Sequence, residues 1–213
     1  MENYVKIQSK RSLDVNLKVI AGHFVTPNSH VNYYIDMTTM KSRMNEAKAV
    51  AAALSEDIIS STIVDTIVCM EGTSVIGAYL ADELTKAGIV SMNAHKTLYV
   101  VKPEYNHGGQ MIFRDNMRPM IQDKHLLVLM PSITTGIAGA RAVSGLTYYG
   151  GKISALVAIF SAASKVAGYP VHALFSPADL PDYRSYLPDE CELCRMNKKI
   201  DAFCNGYGYS EIN

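Results

Sequence analysis

The sequence predicts an α/β fold: a parallel β-sheet flanked by helices, with a small β-rich hood attached. Three observations carry that expectation. Apolar runs rich in β-branched residues recur at 62–70, 97–102, 126–130, 153–160 and 171–175. Stretches with helical spacing lie between several of them, at 41–57, 75–87 and 137–149. Strands and helices that alternate in this way form parallel βαβ units with right-handed crossovers. In such open sheets ligands bind outside the carboxyl ends of the strands. The turns after Met70, Lys102, Met130 and Phe160 are therefore expected to line one crevice.

In chain order, residues 1–40 read as the hood segment. Val15, Leu17, Val19 and Ala21 alternate with Asn16, Lys18 and Ile20, a partly strand-like pattern. Gly22 and Pro27-Asn28 read as breakers, and His30–Asp36 reads as a second strand, aromatic and β-branched. Residues 41–175 form the α/β core. Lys41 to Asp57 is a helix, with Met44, Ala47, Lys48, Ala51 and Leu54 at helical spacing and several alanines, the best helix formers. Thr62 to Met70 is a strand, Glu71-Gly-Thr-Ser a turn, and Val75 to Ala87 a helix closed by Gly88. Thr97 to Lys102 is a strand, and Pro103 to Gln110, with Asn106-His-Gly-Gly, is a mobile loop. Met111 to Arg118 is a short strand ended by Pro119. Leu126 to Met130 is a buried strand that should stop at Pro131, which has no N–H to give a ladder. A helix to Tyr149, the strand Ile153–Phe160, a break at Gly168-Tyr-Pro and the strand Val171–Phe175 complete the core. Residues 176–213 are a C-terminal hood or tail.

Composition narrows the function classes. The chain has 213 residues and 48% hydrophobic content, enough for a real core. Lys+Arg and Asp+Glu are both 20, so the net charge is zero. Nucleic-acid and membrane-surface partners need a basic field and are not expected. No apolar run reaches the ~20 residues of a membrane span, and the N-terminus lacks a signal-peptide layout. Four cysteines in a chain of this size do not make a disulfide framework. A cytoplasmic protein with reduced thiols is the expectation. Nothing resembles a serine or cysteine hydrolase triad.

The most informative stretch is Leu126–Gly139, LLVLMPSITTGIAG. A strand, a hydroxyl-rich turn and a helix start follow one another. Free N–H groups, the helix dipole and threonine hydroxyls together suit a phosphate. An ordinary strand-to-helix connection with a Ser/Thr N-cap fits the same local pattern.

Several motifs in order resemble the type I phosphoribosyltransferases, and most of all their orotate phosphoribosyltransferase branch. Ser132, Thr134, Thr135, Gly136, Ile137 and Ala138 match the phosphoribosyl-pyrophosphate loop. Phe24 to Asp36, with His30, Tyr33, Tyr34 and Asp36, is similar to the substrate hood. Val68 to Leu84 resembles the pyrophosphate-loop strand and helix, with Glu71, Gly72, Thr73 and Ser74 at the turn. Tyr99 to Gly109 resembles the mobile catalytic loop, including Lys102 and His107. Cys191-Glu-Leu-Cys194 is similar to a Cys-x-x-Cys tail of some members. The resemblance implies this family's fold, transferase chemistry in nucleotide metabolism, a homodimer and a phosphorylated ribose or nucleotide as ligand. It places Tyr33, Tyr34 and Ser161 on the base side and implies Mg²⁺ if the protein is active, and no cofactor otherwise.

The departures fall on the charged groups. Two carboxylates end the family's strand before the loop and contact the ribose hydroxyls; Met130 and Pro131 stand here. An Arg-Lys pair and a further lysine mark the family's mobile loop; Val101-Lys102 and Tyr105 stand here. The arginine that grips orotate is replaced, since Ser161-Ala162 occupies its Asp-Arg position. The glycine-rich pyrophosphate turn is the bulkier Gly72-Thr-Ser-Val-Ile. Losing one such donor costs on the order of 2.7–4 kcal/mol of transition-state stabilisation. The reading is a protein that binds a phosphorylated ribose or nucleotide and is catalytically impaired or regulatory. The alternative is an active phosphoribosyltransferase on a non-orotate base.

Lys102 is either a phosphate ligand or a surface lysine. His107 is either a loop acid, base or phosphate donor, or a solvated loop histidine. Glu71 either orients a ligand or metal-bound water, or is a helix-start carboxylate on the dipole. Cys191, Cys194 and Cys204 lack a fourth zinc ligand, because no histidine follows Cys204; a vestigial or packing role is the expectation, with metal binding or redox chemistry as the alternatives, and no metal ligand is assigned.

Overall fold

The structure, a computed structural model, describes residues 4–86 and 90–212. The chain opens with strands β1 (Val5–Gln8), β2 (Asn16–Val25) and β3 (His30–Asp36). Helices α1 (Thr38–Ser42) and α2 (Met44–Ser55) lead to β4 (Thr66–Cys69), α3 (Ser74–Thr85) and β5 (Tyr99–Val101). A small hairpin of β6 (Glu104–Tyr105) and β7 (Met111–Ile112) precedes β8 (His125–Ile133), α4 (Ile137–Tyr148) and β9 (Lys152–Ser161). Then follow β10 (Lys165–Val166), β11 (Tyr169–Phe175), β12 (Ser185–Tyr186), α5 (Glu192–Arg195), β13 (Ala202–Asn205) and β14 (Gly208–Glu211).

The expected α/β sheet is present, in the order β10-β11-β9-β8-β4-β5. Strands β11, β9, β8, β4 and β5 run parallel. Numbered along the chain, these five lie in the order 2-1-3-4-5, the doubly wound arrangement. Side chains alternate between two cores. Ile67, Leu127, Leu129 and Val157 face helices α2 and α3. Val68, Leu126, Val128, Met130 and Leu156 face α4. A second sheet, β12-β3-β2-β13-β14 with β1 on β2, joins the N-terminal strands to the C-terminal ones.

Several boundaries differ from the sequence expectation, each for a local reason. The helix expected over Lys41–Asp57 is two helices, because Arg43 is extended at φ −92°, ψ 122°. The strand expected from Thr62 begins only at Thr66, since the buried Asn93 side chain captures the Val64 N–H and the Thr62 carbonyl. Gly22 is not a break: it lies within β2, at a register shift between Ala21 and Phe24. A Cβ there would meet Asp201 and Phe24 at 2.7 Å, so glycine marks a bulge with close packing. The loop expected over Pro103–Gln110 carries hairpin strands, and the strand expected over Met111–Arg118 shrinks to Met111–Ile112, with Pro119 inside a 3₁₀ turn at Arg118–Met120. The helix after Glu71 starts at Ser74; the expected end at Ala87 and Gly88 lies outside the described residues.

Pro131 does not end its strand. β8 continues to Ile133, pairing with β9 through Ser132↔Phe160 and Ile133↔Ser161. On the other side, β4 pairs only as far as Cys69↔Leu129. The Leu129 carbonyl points to that side, accepting from the Met70 N–H, and by alternation so would a Pro131 N–H. Its absence costs nothing where the neighbouring strand has already ended.

Candidate functional site

In a 2-1-3-4-5 sheet the connections from strands one and three leave in opposite directions, and a crevice opens between their carboxyl ends. Here those strands are β4 and β8. The turn after β4 supplies Glu71–Thr73, and the turn after β8 supplies Thr134–Gly136. The hood sheet closes the crevice from above. The cavity between them, of about 130 Å³, is lined by Tyr33, Tyr34, Glu71, Ser132, Thr134 and Ala138 among others. Glu71 and Ala138 also border a larger neighbouring cavity of about 530 Å³, between α4 and the β6–β7 hairpin, reached by Tyr105 and Arg141.

The start of α4 is open. Gly136 sits at φ +80°, a conformation glycine takes without strain, and no side chain caps the helix. The first N–H bonded back within the helix is that of Ala140, to the Gly136 carbonyl. The N–H groups just before it are the orphan donors of a helix N-terminus. Ser132 and Thr134 line the crevice beside them, and Thr135, Gly136 and Ile137 complete the turn. Gly139 lets α4 approach the sheet: a Cβ there would lie 3.0 Å from Val166 and 3.6 Å from Met130.

The Glu71 turn is built differently. Thr73 is fully buried, and its hydroxyl donates to the Met70 carbonyl at 2.8 Å and to the Leu129 carbonyl at 3.2 Å. It stitches the turn to β8 rather than facing a ligand. Glu71 takes φ 47°, in the left-handed region. Burial pushes its carboxyl up from the ordinary carboxylate range, against the pull of Lys41. Lys41, also partly desolvated, donates to the backbone carbonyls of Glu71 and Gly206. Gly206 lies on the tip of the β13–β14 hairpin, packed on the Glu71 carboxylate so closely that no Cβ would fit. The C-terminal hairpin thus lies over the crevice. Lys41 was not among the expected site residues; nothing in its local spacing marks it, since the break at Arg43 after α1 and a contact 165 residues away position it.

The expected base-side residues separate. Tyr34 is buried between Phe24 and Tyr209, with ring centroids 5.9 and 4.9 Å away. Burial, reinforced by Asp36, Cys204 and Tyr209, raises its hydroxyl pKa. Tyr33 is half-buried at the cavity wall. Ser161 does not reach the crevice lining: its hydroxyl donates to the Ala163 carbonyl at 2.7 Å and accepts from the Ala163 N–H. Lys102 and His107 are exposed and line none of these cavities. The hairpin carrying His107 is held by Arg114 on Glu104 at 2.8 Å and by Asn106 across its turn. Tyr105 is half-exposed, and burial of its hydroxyl, with Glu71 and Tyr207 nearby, pushes its pKa up to about 12.

The strand end carries no charge toward the crevice. Met130 is buried under α4, beside Gly139 and Val166. Pro131 alone turns toward the Lys41 side, in a small cleft with Ser132. A Mg²⁺ ion here would find few oxygen ligands among the described side chains. Mg²⁺ takes six oxygens and one or two carboxylates as a rule. Among the described residues lining the crevice Glu71 supplies the one carboxylate, and burial raises its pKa while Lys41 opposes. Cys191 and Cys194 lie elsewhere, next to His23 and His30.

No family model matches the sequence, and no curated protein matches it. Solved structures do match in fold. An orotate phosphoribosyltransferase of Mycobacterium tuberculosis superposes with a TM-score of 0.51 at 17% identity, over 78% of this chain and 93% of that one. An orotate phosphoribosyltransferase of Aeropyrum pernix gives 0.50 at 18% identity, over 76% and 90%. An adenine phosphoribosyltransferase of Thermoanaerobacter pseudethanolicus gives 0.50 at 13% identity, over 68% and 88%. The parallel core, the switch-point crevice and these superpositions agree: this chain has the fold of the type I phosphoribosyltransferases.

Proposed function

We propose that this chain binds a phosphorylated ribose or nucleotide, with the phosphate on the N-terminus of α4, and does not transfer the ribosyl group. The observation that carries this reading is the contrast at the end of β8. An open helix start flanked by Ser132 and Thr134 follows a strand end that presents no carboxylate to the crevice. A phosphate needs only oriented N–H and O–H donors, and the backbone supplies most of them. Transfer needs more: charge must be spread over a leaving pyrophosphate and a cationic ribose. Lys102 is exposed and lines none of the cavities, and among the described residues Glu71 supplies the one carboxylate of the crevice lining, so little side-chain charge is placed there.

The alternative, an active transferase on a non-orotate base, has one observation in its favour. Lys41 and Arg141 border the crevice and its neighbouring cavity, so two cations not foreseen from the motifs are within reach. We also propose a homodimer as the working form, as the family resemblance implies.

Calorimetric titration of the purified chain with ribose 5-phosphate, uridine monophosphate and phosphoribosyl pyrophosphate, each with and without Mg²⁺, separates the two. We expect binding of the phosphomonoesters that is unchanged by Mg²⁺. Thr134→Val should weaken it about tenfold, since a hydrogen bond to a charged group is worth ~1.5 kcal/mol or more. Release of pyrophosphate from phosphoribosyl pyrophosphate in the presence of any nucleobase would establish the alternative. Absence of phosphomonoester binding would end the primary reading.

A further inference from the structure

We propose that His23, His30, Cys191 and Cys194 form a structural zinc site that pins the C-terminal segment to the hood. The four side chains come from distant parts of the chain: β2, the first residue of β3, the residue before α5, and α5 itself. Their ligating atoms all lie within 4.8 Å of one another. Four of the six spacings match the edges of a coordination tetrahedron. With Zn–N near 2.05 Å and Zn–S near 2.3 Å, the edges should be about 3.3 Å for N···N and about 3.6 Å for S···N. His23 Nε2 lies 3.1 Å from His30 Nδ1. Cys191 Sγ and Cys194 Sγ lie 3.5 and 3.6 Å from His23 Nε2, and Cys194 Sγ lies 3.3 Å from His30 Nδ1.

The surroundings are prepared for a metal ligand. His23 is fully buried, and its other ring nitrogen, Nδ1, lies 2.8 Å from the Lys198 carbonyl. A carbonyl only accepts, so Nδ1 carries the proton and Nε2 presents a lone pair to the centre. This outer hydrogen bond fixes tautomer and ring orientation, as it does for metal-bound histidines in general. The backbone on both sides is also fixed. The His23 N–H donates to the Asp201 carboxylate, and the Asp201 N–H donates to the His23 carbonyl. The turn after α5 is closed by Lys198 N–H to the Leu193 carbonyl and Asn197 N–H to the Cys194 carbonyl.

The donor set selects the ion. Two thiolates and two imidazoles in a tetrahedron suit Zn²⁺. The atoms are too close together for a two-iron cluster, whose ligand pairs sit on different irons. Binding releases two thiol protons, and Zn²⁺ with two thiolates is neutral, so burial carries little charge penalty. Four protein ligands leave no open position, which makes the site structural rather than catalytic. Its consequence is positional. β13 pairs with β2 at Phe24 and Val25, just beyond His23, and continues into the hairpin tip over the crevice. The metal would hold that cover in place.

The test is metal analysis of the full chain purified without chelator, followed by cobalt substitution. We expect about one zinc per chain. The Co²⁺ form should show the strong visible bands of a tetrahedral site and a thiolate-to-cobalt charge-transfer band. Cys194→Ser and His30→Ala should lose the metal, while Cys204→Ser, outside the cluster, keeps it. Chelation should lower the melting temperature of wild type but not of Cys194→Ser. Purified protein that neither contains nor takes up Zn²⁺ or Co²⁺ would overturn the proposal. So would a cobalt spectrum without thiolate charge transfer, or full metal content in soluble Cys194→Ser. The outcome does not depend on phosphate binding at α4.

Discussion

Glu71 is a carboxylate in an unfavourable place. Its φ of 47° is uncommon for a residue with a Cβ, and its half-buried side chain packs against the C-terminal hairpin. Such positions persist where the surroundings over-determine them, and they concentrate at ligand sites. Burial raises its pKa, with Lys41 opposing. A carboxyl whose folded-state pKa is raised contributes its full stability below the unfolded-state value, and that stability is lost as pH rises through the folded-state value. Near neutral pH the ionised group therefore weakens the fold. Glu71→Gln removes this titration. It is expected to melt above wild type at about pH 7, with the difference closing toward about pH 4, below the unfolded-state pKa. Thermal melts across that range check it; a variant that melts lower at neutral pH would mean the Lys41 attraction outweighs burial.

At the level of elements, β8 shows what a strand's two faces do to adjacent residues. Met130 and Pro131 look equivalent in sequence, both uncharged where the family resemblance implies acids. Alternation sends Met130 into the core under α4 and Pro131 to the crevice side. Met130→Asp would bury a carboxylate among Val128, Gly139 and Val166, at a cost of about 3 kcal/mol or more. Pro131 is buried too but borders the small cleft, so Pro131→Asp is expected to cost less stability than Met130→Asp while creating Mg²⁺-dependent binding of phosphoribosyl pyrophosphate. Denaturant melts and calorimetry on the two variants check this; equal stability would show that β8 is not held in this register. The apolar runs of β4, β8 and β9 were legible because a buried parallel strand has few alternatives. The break before Thr66 was not, because an asparagine from position 93 sets it, and nothing in the apolar spacing marks the extended Arg43.

At the scale of the molecule, β5 leaves an edge of the core sheet with Tyr99 and Val100 exposed, and Val75 of α3 is exposed as well. Exposed apolar edges invite pairing with another chain, in keeping with the proposed homodimer. Light scattering is expected to give twice the 23.3 kDa chain mass, and a single-chain mass at micromolar concentration would remove the dimer. Among the described residues no helix is long and apolar enough to cross a membrane. The expected crevice was legible from the alternation of strands and helices, because handedness and strand order leave few ways to arrange them. Its roof was less so: the C-terminal hairpin reaches Glu71 through contacts between residues far apart in sequence.

The sequence by itself determined the parallel core, the strand–turn–helix order around Thr134–Gly136 and the absence of charge at Met130-Pro131, since these rest on local patterns of apolarity, hydroxyls and glycine; that no side chain caps the helix start is a finding of the structure. Tertiary structure alone decided three things. It gave the hydroxyl donors of Thr73 and Ser161 backbone carbonyls as partners. It brought Lys41 and Gly206 onto Glu71. It also answered the missing fourth ligand of the Cys-x-x-Cys segment: the histidines precede the cysteines by more than 160 residues rather than following them. A linear reading cannot bring those groups together, because the pairings of β12 with β3 and of β13 with β2 return the end of the chain to its beginning.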